Sequence, residues 1–180
     1  MLSLRSVCPM LDLARGIVQS PIGPLYLATD MAGELCALNL HGDEEMQRDI
    51  AHYHGGFSIS TAPVDADVMH RLNNYFAGDI HAIDAIHCRP CGTGFEQSVW
   101  KELRRIPAGS TTSYGHIARS IGSPGAARAV GRANGRNPVA IVVPCHRVVG
   151  TAGSLVGFGG GLERKRWLLS HESGELDLPL

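Results

Sequence analysis

The chain has 180 residues, 44% of them hydrophobic and 18% charged, with a net charge of −1. That is enough apolar material for a core in one domain or two small ones, and no low-complexity tract marks it as disordered. No apolar run approaches the roughly 20 residues of a membrane span, and Arg5, Asp12 and Arg15 interrupt the stretch that a secretory signal keeps apolar. The expectation is a soluble cytoplasmic protein with no membrane partner. Five cysteines (Cys8, Cys36, Cys88, Cys91, Cys145) are an odd number that suits a reducing compartment better than a disulfide framework.

In chain order, "GIVQSPIGPLYLATD" alternates apolar and polar residues about a Ser-Pro-Ile-Gly-Pro turn, and "GELCALNL" follows as a further strand. A polar helix begins near Asp43 and another runs from about Val64 to Phe76, stopped by Gly78. Cys88-Arg-Pro-Cys91 has the spacing of half a zinc site, but no second pair follows, and only Cys8, Cys36 and nearby histidines could complete it. No metal is expected. Pro90, Gly92 and Gly94 break the pattern, so residues 1–90 form a small α/β supporting domain and residues 91–180 a second one.

Thr93-Gly-Phe-Glu96 is a capping-box spacing, opening a helix with an apolar stripe of Phe95, Val99, Trp100, Leu103 and Ile106. Ser113 caps a second helix over Tyr114–Ile121, and Ser123-Pro124 starts a third that runs to about Ala133. Three short helices with a glycine turn between the last two are a helix-turn-helix layout. Ala126, Ala127, Ala129 and Gly131 give the third helix a small face, with Arg128 and Arg132 four residues apart. Small residues admit close backbone approach to a groove, and arginines suit groove edges or a gap in the base stack; a tightly packed helix pair with two solvated arginines is the alternative. Charge favours nucleic acid. Residues 1–90 hold 5 Lys/Arg against 11 Asp/Glu, net −6, and residues 91–180 hold 11 against 6, net +5.

In "AIVVPCHRVVG" a β-branched run stops at Pro144 and gives way to Cys145, His146 and Arg147. Pro144 fits a first helical position, which places Cys145 among orphan N–H groups. Adjacent side chains diverge, so His146 is badly placed to take a proton directly from its neighbour; a bridging water solves this. Glu172, after a C-terminal helix over Leu162–His171, is a candidate to orient the imidazole. Asn137-Pro138 forms a turn before the valine strand. Gly157-Phe-Gly-Gly-Gly161 lacks the spacing of a nucleotide-binding loop and reads as a wall over a pocket, with Phe158 as a stacking surface.

The segments "GTGFEQSVWKELRRIPAG", "TTSYGHIARSIGSPGAARAVGRANGRNPVAI", "PCHRVVG" and "GFGGGLERKRWLLSHE" resemble, in order, the C-terminal domain of the O6-alkylguanine-DNA alkyltransferases, the methylated-DNA–protein-cysteine methyltransferases. "SPIGPLYLATDMAGELCALNL" and "RLNNYFAGD" are more weakly similar to that family's first domain. The resemblance implies an α/β (α+β) N-terminal domain with a β-hairpin sheet and helices, and a mainly α C-terminal domain with a winged helix-turn-helix. It implies repair of O6-alkylguanine, and of O4-alkylthymine, flipped out of double-stranded DNA through the minor groove, the alkyl group passing irreversibly to Cys145. His146 would be the base acting through water, Glu172 its partner, and Tyr114 the group that polarises the departing base. Asn137 would brace the turn. Arg128 would fill the vacated stack, while Ala126, Ala127, Ala129 and Gly131, with Ser113, Tyr114 and Arg132, would meet the DNA. Val148, Val156, Gly157, Phe158, Gly159 and Gly160 would surround the base. A thiolate attacking an sp3 carbon needs no cofactor. The protein would be a monomer in solution, with cooperative binding along DNA left open.

Two alternatives stand beside this reading. A lesion binder of the same fold without transfer would lack the cysteine, and a Cys-His hydrolase unrelated to DNA would have no use for the basic helices. Phe158 stands where the family usually has Tyr, and Gly159 offers no side-chain hydroxyl, which leaves the loop adaptable. Comparable second-order rates for O6-methyl and O6-benzyl adducts are expected, and a large preference for methyl would count against an adaptable loop.

Overall fold

Alternation puts Leu11 and Leu13 of "LDLARGIV" and Leu25 and Leu27 of "LYLATD" out of solvent, and Ala14 and Val18, on the opposite face of the first strand, are buried as well. These segments are β1 (Leu11–Val18) and β2 (Leu25–Asp30), an antiparallel hairpin in which Gly16 faces Leu27. β3 (Leu35–Asn39) pairs antiparallel with β2 after a turn in which Asp30 Oδ1 accepts the N–H groups of Ala32 and Glu34, both at 2.9 Å. A fourth strand, β4 (Phe57–Ser60), adds parallel to β1 and completes the order β3-β2-β1-β4. The computed structural model describes residues 11–54 and 56–175; Cys8, a candidate metal ligand by sequence, lies outside them.

Every residue of β3 is buried, because both of its faces are covered. On one face Cys36 and Ala37 pack with Met46 and Ile50 of α1 (Asp43–Tyr53). On the other, Leu35 and Leu38 join α2 (Ala66–Phe76), through Val68, Leu72 and Tyr75, and the C-terminal helices in one large core. Burial of each such side chain contributes about 1.5–3 kcal/mol, so the two halves of the chain share much of their stabilisation.

The capping box forms as the spacing predicts. Thr93 Oγ1 accepts the Glu96 N–H at 3.3 Å, and Glu96 Oε2 accepts the Thr93 N–H at 2.9 Å, opening α3 (Gly94–Leu103). Ser113 caps α4 (Tyr114–Ser120) through the His116 N–H. The third helix differs from expectation: α5 spans Ala127–Gly135, not a run from Pro124. Gly125 has φ +96, a left-handed conformation that cannot lie inside a right-handed helix, so Ser123–Ala126 is a turn and Ala126 is the N-cap. α6 (Leu162–Ser173) closes the chain. The wing amounts to two dipeptide strands in parallel, β5 (Thr112–Ser113) and β6 (Val148–Val149).

The valine run is not the strand that its β-branched residues suggest. Val139 and Ala140 border β3: Leu38 N–H donates to Pro138 O and Ala140 N–H to Leu38 O, both at 2.9 Å. The chain then turns back at Ile141, whose φ of +70 is a strained state for a β-branched residue. The fold class is thus mixed α/β, a sheet with helices followed by a helical C-terminal half. No helix among the described residues is long and apolar enough to cross a membrane. Thr93→Ala removes the reciprocal cap and is expected to lower stability by about 1 kcal/mol, read as a lower urea midpoint at constant slope. An unchanged midpoint would mean that the Arg136–Glu96 ion pair (3.3 Å) holds the helix start alone.

Candidate active site

Cys145 follows directly from that strained turn. Asn137 ties the turn at both ends: its Oδ1 accepts the Val139 N–H at 3.0 Å, and its Nδ2 donates to Val143 O at 2.7 Å. Pro144 does not open an α-helix. It caps a single 3-10 turn, Cys145–Arg147, with ψ 66, so the thiol has no substantial helix dipole beneath it. Burial pushes the Cys145 thiol above its ordinary value, while hydrogen bonding from Asn137 and the nearby Lys165 charge pull it back. A thiol in that position needs a base.

His146 is wholly buried and its Nε2 lies 3.0 Å from Glu172 Oε1. The carboxylate accepts, so Nε2 carries the proton, and Nδ1 is left without a protein partner. Burial is the largest influence on the imidazole and lowers its pKa below 6.5, with Glu172 opposing. His146 is therefore neutral at pH 7, with a free lone pair. Its place beside Cys145, with Nδ1 unengaged, suits proton transfer through one water.

Glu172 itself is held from four sides. Arg147 grips it with Nε to Oε2 and Nη2 to Oε1, both at 2.8 Å, and donates Nη1 to Ile106 O at 2.6 Å. Tyr75 Oη donates to Oε1 at 2.8 Å, and the Gly109 N–H reaches Oε2 at 3.3 Å. Against the cost of burial, the His146 and Arg147 bonds hold the carboxyl far below its ordinary value. Tyr75, by contrast, is pushed up by burial and by the carboxylate, and stays a donor.

The sequence gives Tyr75, Lys165 and Asn134 no role and counts Arg147 only among the positive charges suited to a polyanion, whereas here it is buried. Lys165 is buried, and its Nζ clamps Val148 O (2.6 Å) and Val156 O (2.7 Å), fastening the glycine-rich loop across the site. Asn134 Nδ2 donates to Cys145 O at 3.3 Å. Helical spacing could have revealed two of them. Lys165, Leu168 and Glu172 recur at i, i+3 and i+7 on one face of α6, and Val68, Leu72 and Tyr75 at i, i+4 and i+7 on α2.

The remaining candidates divide between two cavities. One, of ≈ 360 Å³, is lined by Cys145, Asn137, Phe158, Gly159 and Gly160. The other, of ≈ 430 Å³, lies on the helix-turn-helix face and gathers Ser113, Tyr114, Ala127, Arg128 and Gly131. Ala126, Ala129, Arg132, Val148, Val156 and Gly157 lie outside both, although Arg128 and Arg132 are exposed along α5. Tyr114 reaches from the second cavity to the glycine-rich loop: its hydroxyl meets Val156 O at 3.3 Å and Gly157 O at 3.5 Å, and burial followed by the Cys145 charge raises its pKa. A Cβ at Gly131 would sit 3.8 Å from that ring, ordinary van der Waals contact, so α5 packs against Tyr114 without requiring glycine there. The Cys145 carbonyl accepts both Asn134 Nδ2 and the Val148 N–H, and the Val148 carbonyl accepts Lys165 Nζ. Cys88 is a free thiol, and the described residues contain no group of three or more His, Cys, Asp or Glu side chains placed to hold a metal ion.

Arg147→Ala would strand the Glu172 charge, and a loss of about 3–5 kcal/mol is expected from urea unfolding. The folded-state pKa of Glu172 lies below its unfolded value, so the stability it supplies is complete above about pH 4.5 and is lost as pH falls further. In Glu172→Gln that acid-side loss should shrink; an unaltered stability–pH curve below pH 4.5 would contradict the assigned network.

Residues 94–174 match the family model described as 6-O-methylguanine DNA methyltransferase, DNA binding domain. The methylated-DNA–protein-cysteine methyltransferase of Salmonella typhimurium is 42% identical over 166 residues, covering 91% of this chain and 97% of that one. Its namesake from Mycobacterium tuberculosis is 46% identical over 155 residues, covering 86% and 89%. A crystal structure of Mycobacterium tuberculosis OGT in complex with DNA superposes with a TM-score of 0.73 at 41% identity, covering 91% of this chain and 94% of that one. The buried Cys-His-Glu arrangement thus sits in a chain that is alike over most of its length, and the protein belongs to the methylated-DNA–protein-cysteine methyltransferase family.

Proposed function

We propose that this protein repairs O6-alkylguanine in double-stranded DNA by moving the alkyl group to its own Cys145, once per molecule. The observation that carries the reading is the His146 imidazole, locked by Glu172 through Nε2 with Nδ1 free, next to a thiol that burial alone would leave inert. His146 takes the thiol proton through a water, the thiolate sulfur attacks the first carbon of the substituent, and the C–O6 bond breaks. The electron pair stays on the base, which takes up the proton. Tyr114, kept protonated, donates to the departing base. The C–S bond of the product thioether is stable in water, so the reaction consumes the protein.

Reaching a base inside a duplex requires its extrusion. Arg128 and Arg132, exposed on a helix with a small face, are placed to neutralise phosphates, and Arg128, bordering the Tyr114 cleft, is the side chain proposed to enter the minor groove and fill the stack. In this division of labour, residues 91–180 carry the DNA surface and the thiol, and residues 1–90 brace them, Tyr75 being their contribution to the relay.

Duplex DNA with a radiolabelled O6-methylguanine tests the reading. About one equivalent of label should appear on the Cys145 peptide, and none in Cys145→Ala, which should still bind DNA. Binding without transfer would indicate a lesion binder, and repeated turnover would exclude a suicide reaction. Because burial lowers the His146 pKa, the transfer rate should stay level down to pH 6.5 and fall only below it. An acid limb centred above pH 6.5 would assign the base to another group.

A further inference from the structure

Phe158, Gly159 and Gly160 close the cavity over Cys145, yet residues 154–158 belong to no helix or strand. Such a segment keeps its place only where other groups hold it. At one end Lys165 Nζ and Tyr114 Oη grip Val156 O, at 2.7 and 3.3 Å. At the other end the holder is Arg164, one residue before Lys165, whose Nη1 donates to Gly160 O at 3.3 Å. Adjacent side chains on a helix diverge by roughly 100°. Lys165 therefore turns into the core, and Arg164 turns out towards the N-terminal half.

Arg164 is half-buried, and among the described residues its guanidinium donates only to main-chain carbonyls. Besides Gly160 O these are Ile22 O, 2.8 Å from Nε, and Leu40 O, 3.5 Å from Nη1. Both acceptors lie in turns that are themselves tied. The Gly23 N–H donates to Ser20 O at 3.0 Å, and Ser20 Oγ donates to Gly23 O at 2.5 Å. Asn39 Oδ1 accepts the His41 and Gly42 N–H groups at 3.1 and 3.3 Å. The loop rests against the same place. A Cβ at Gly160 would meet Leu40 Cδ1 at 3.4 Å and the Phe158 ring at 2.6 Å, and one at Gly159 would lie 3.3 Å from His41 Nε2. Bare glycines permit this approach, and the planar, many-donor guanidinium suits the gathering of carbonyls from three separate segments.

We propose that Arg164 is a positioning residue for alkyl transfer: from two fixed turns of the N-terminal half it sets where Gly160, and with it Phe158 and Gly159, stand over Cys145. The inference rests on the alkyl-transfer reading above. Arg164 lines neither the Cys145 cavity nor the helix-turn-helix cleft, so it acts through the loop and not on the thiol or the DNA. A loop released at Gly160 leaves the base free to shift, and a small shift spoils the alignment of sulfur, carbon and O6. The bonds made and broken stay those of the transfer itself.

Single-turnover transfer from duplex O6-methylguanine tests this. In a reaction that consumes the protein, the amplitude counts competent molecules and the rate constant reports their geometry. Arg164→Ala should lower the rate constant at saturating DNA by about tenfold, with the amplitude and the half-saturating DNA concentration unchanged. Guanidinium ion, far below denaturing concentration, should restore part of that rate in the variant and leave the unaltered protein as it was. Hydrogen exchange should quicken at Gly161, whose N–H donates to Phe158 O at 3.0 Å, and stay the same at Arg147, whose N–H donates to Pro144 O. An unchanged rate constant would overturn the proposal. So would a loss confined to the amplitude, which would make Arg164 structural alone, or one explained wholly by weaker DNA binding. If Arg164→Ala yields no folded protein, Arg164→Gln, which keeps one amide donor, is read by the same measures. Failure of methyl transfer in the unaltered protein would overturn the repair reading instead. Exchange needs no reaction, so an unchanged rate at Gly161 would overturn the anchor in either case.

Discussion

A carboxylate buried at Glu172 stays ionised only if donors surround it, and the arrangement of this protein follows from meeting that demand. Arg147 supplies charge and a bidentate fork, His146 and Tyr75 supply one donor each, and the Gly109 N–H completes the shell. These partners come from the cysteine turn, from α2 in the other half of the chain, and from the loop after α3. One charge therefore cross-links three parts of the fold that are remote in sequence. The guanidinium that follows the Cys-His pair is explained by this: it neutralises the acid that orients the imidazole.

The same burial that makes Glu172 rigid makes Cys145 sluggish. A dry wall of Val139, Val142, Val143 and Val148 raises the cost of a thiolate, and the three-residue 3-10 turn offers little dipole to offset it. Activation is left to a neutral imidazole of fixed tautomer and to the Lys165 charge. Geometry is secured by strain: Ile141 is held at positive φ because β3 borders one side of the turn and Asn137 ties its base. The edge strand of the N-terminal sheet is thereby both covered and used to place the nucleophile.

Two surfaces meet at this nucleophile. The helix-turn-helix side is basic and small-faced, with Arg128 at the rim of a cleft that Tyr114 shares. The α1 side is acidic and widens the space beyond the thiol. The charge asymmetry between the halves of the chain maps onto these sides, so that the positive half can lie against a polyanion while the negative half faces away from it.

How much of this was legible beforehand depends on the range of the forces involved. The hairpin, the capping box at Thr93, the Ser113 cap, the basic helix pair and the Cys-His dipeptide are local patterns, and sequence by itself determined them along with the family. Helix α5 was placed three residues early because Ser-Pro is a common helix start, whereas the left-handed Gly125 forces a turn there. The valine run was read as a strand because β-branched residues favour one; hydrogen bonds to Leu38, far away in sequence, bend it instead. Strand β4 was missed because four half-buried residues pairing parallel to β1 carry little periodicity of their own. Tyr75, Lys165 and Arg164 belong to the same class. Which donor meets which buried acceptor is settled by packing across the two halves, and only the tertiary structure decided that, because the cost of leaving a polar group unpaired is felt only once water has been excluded.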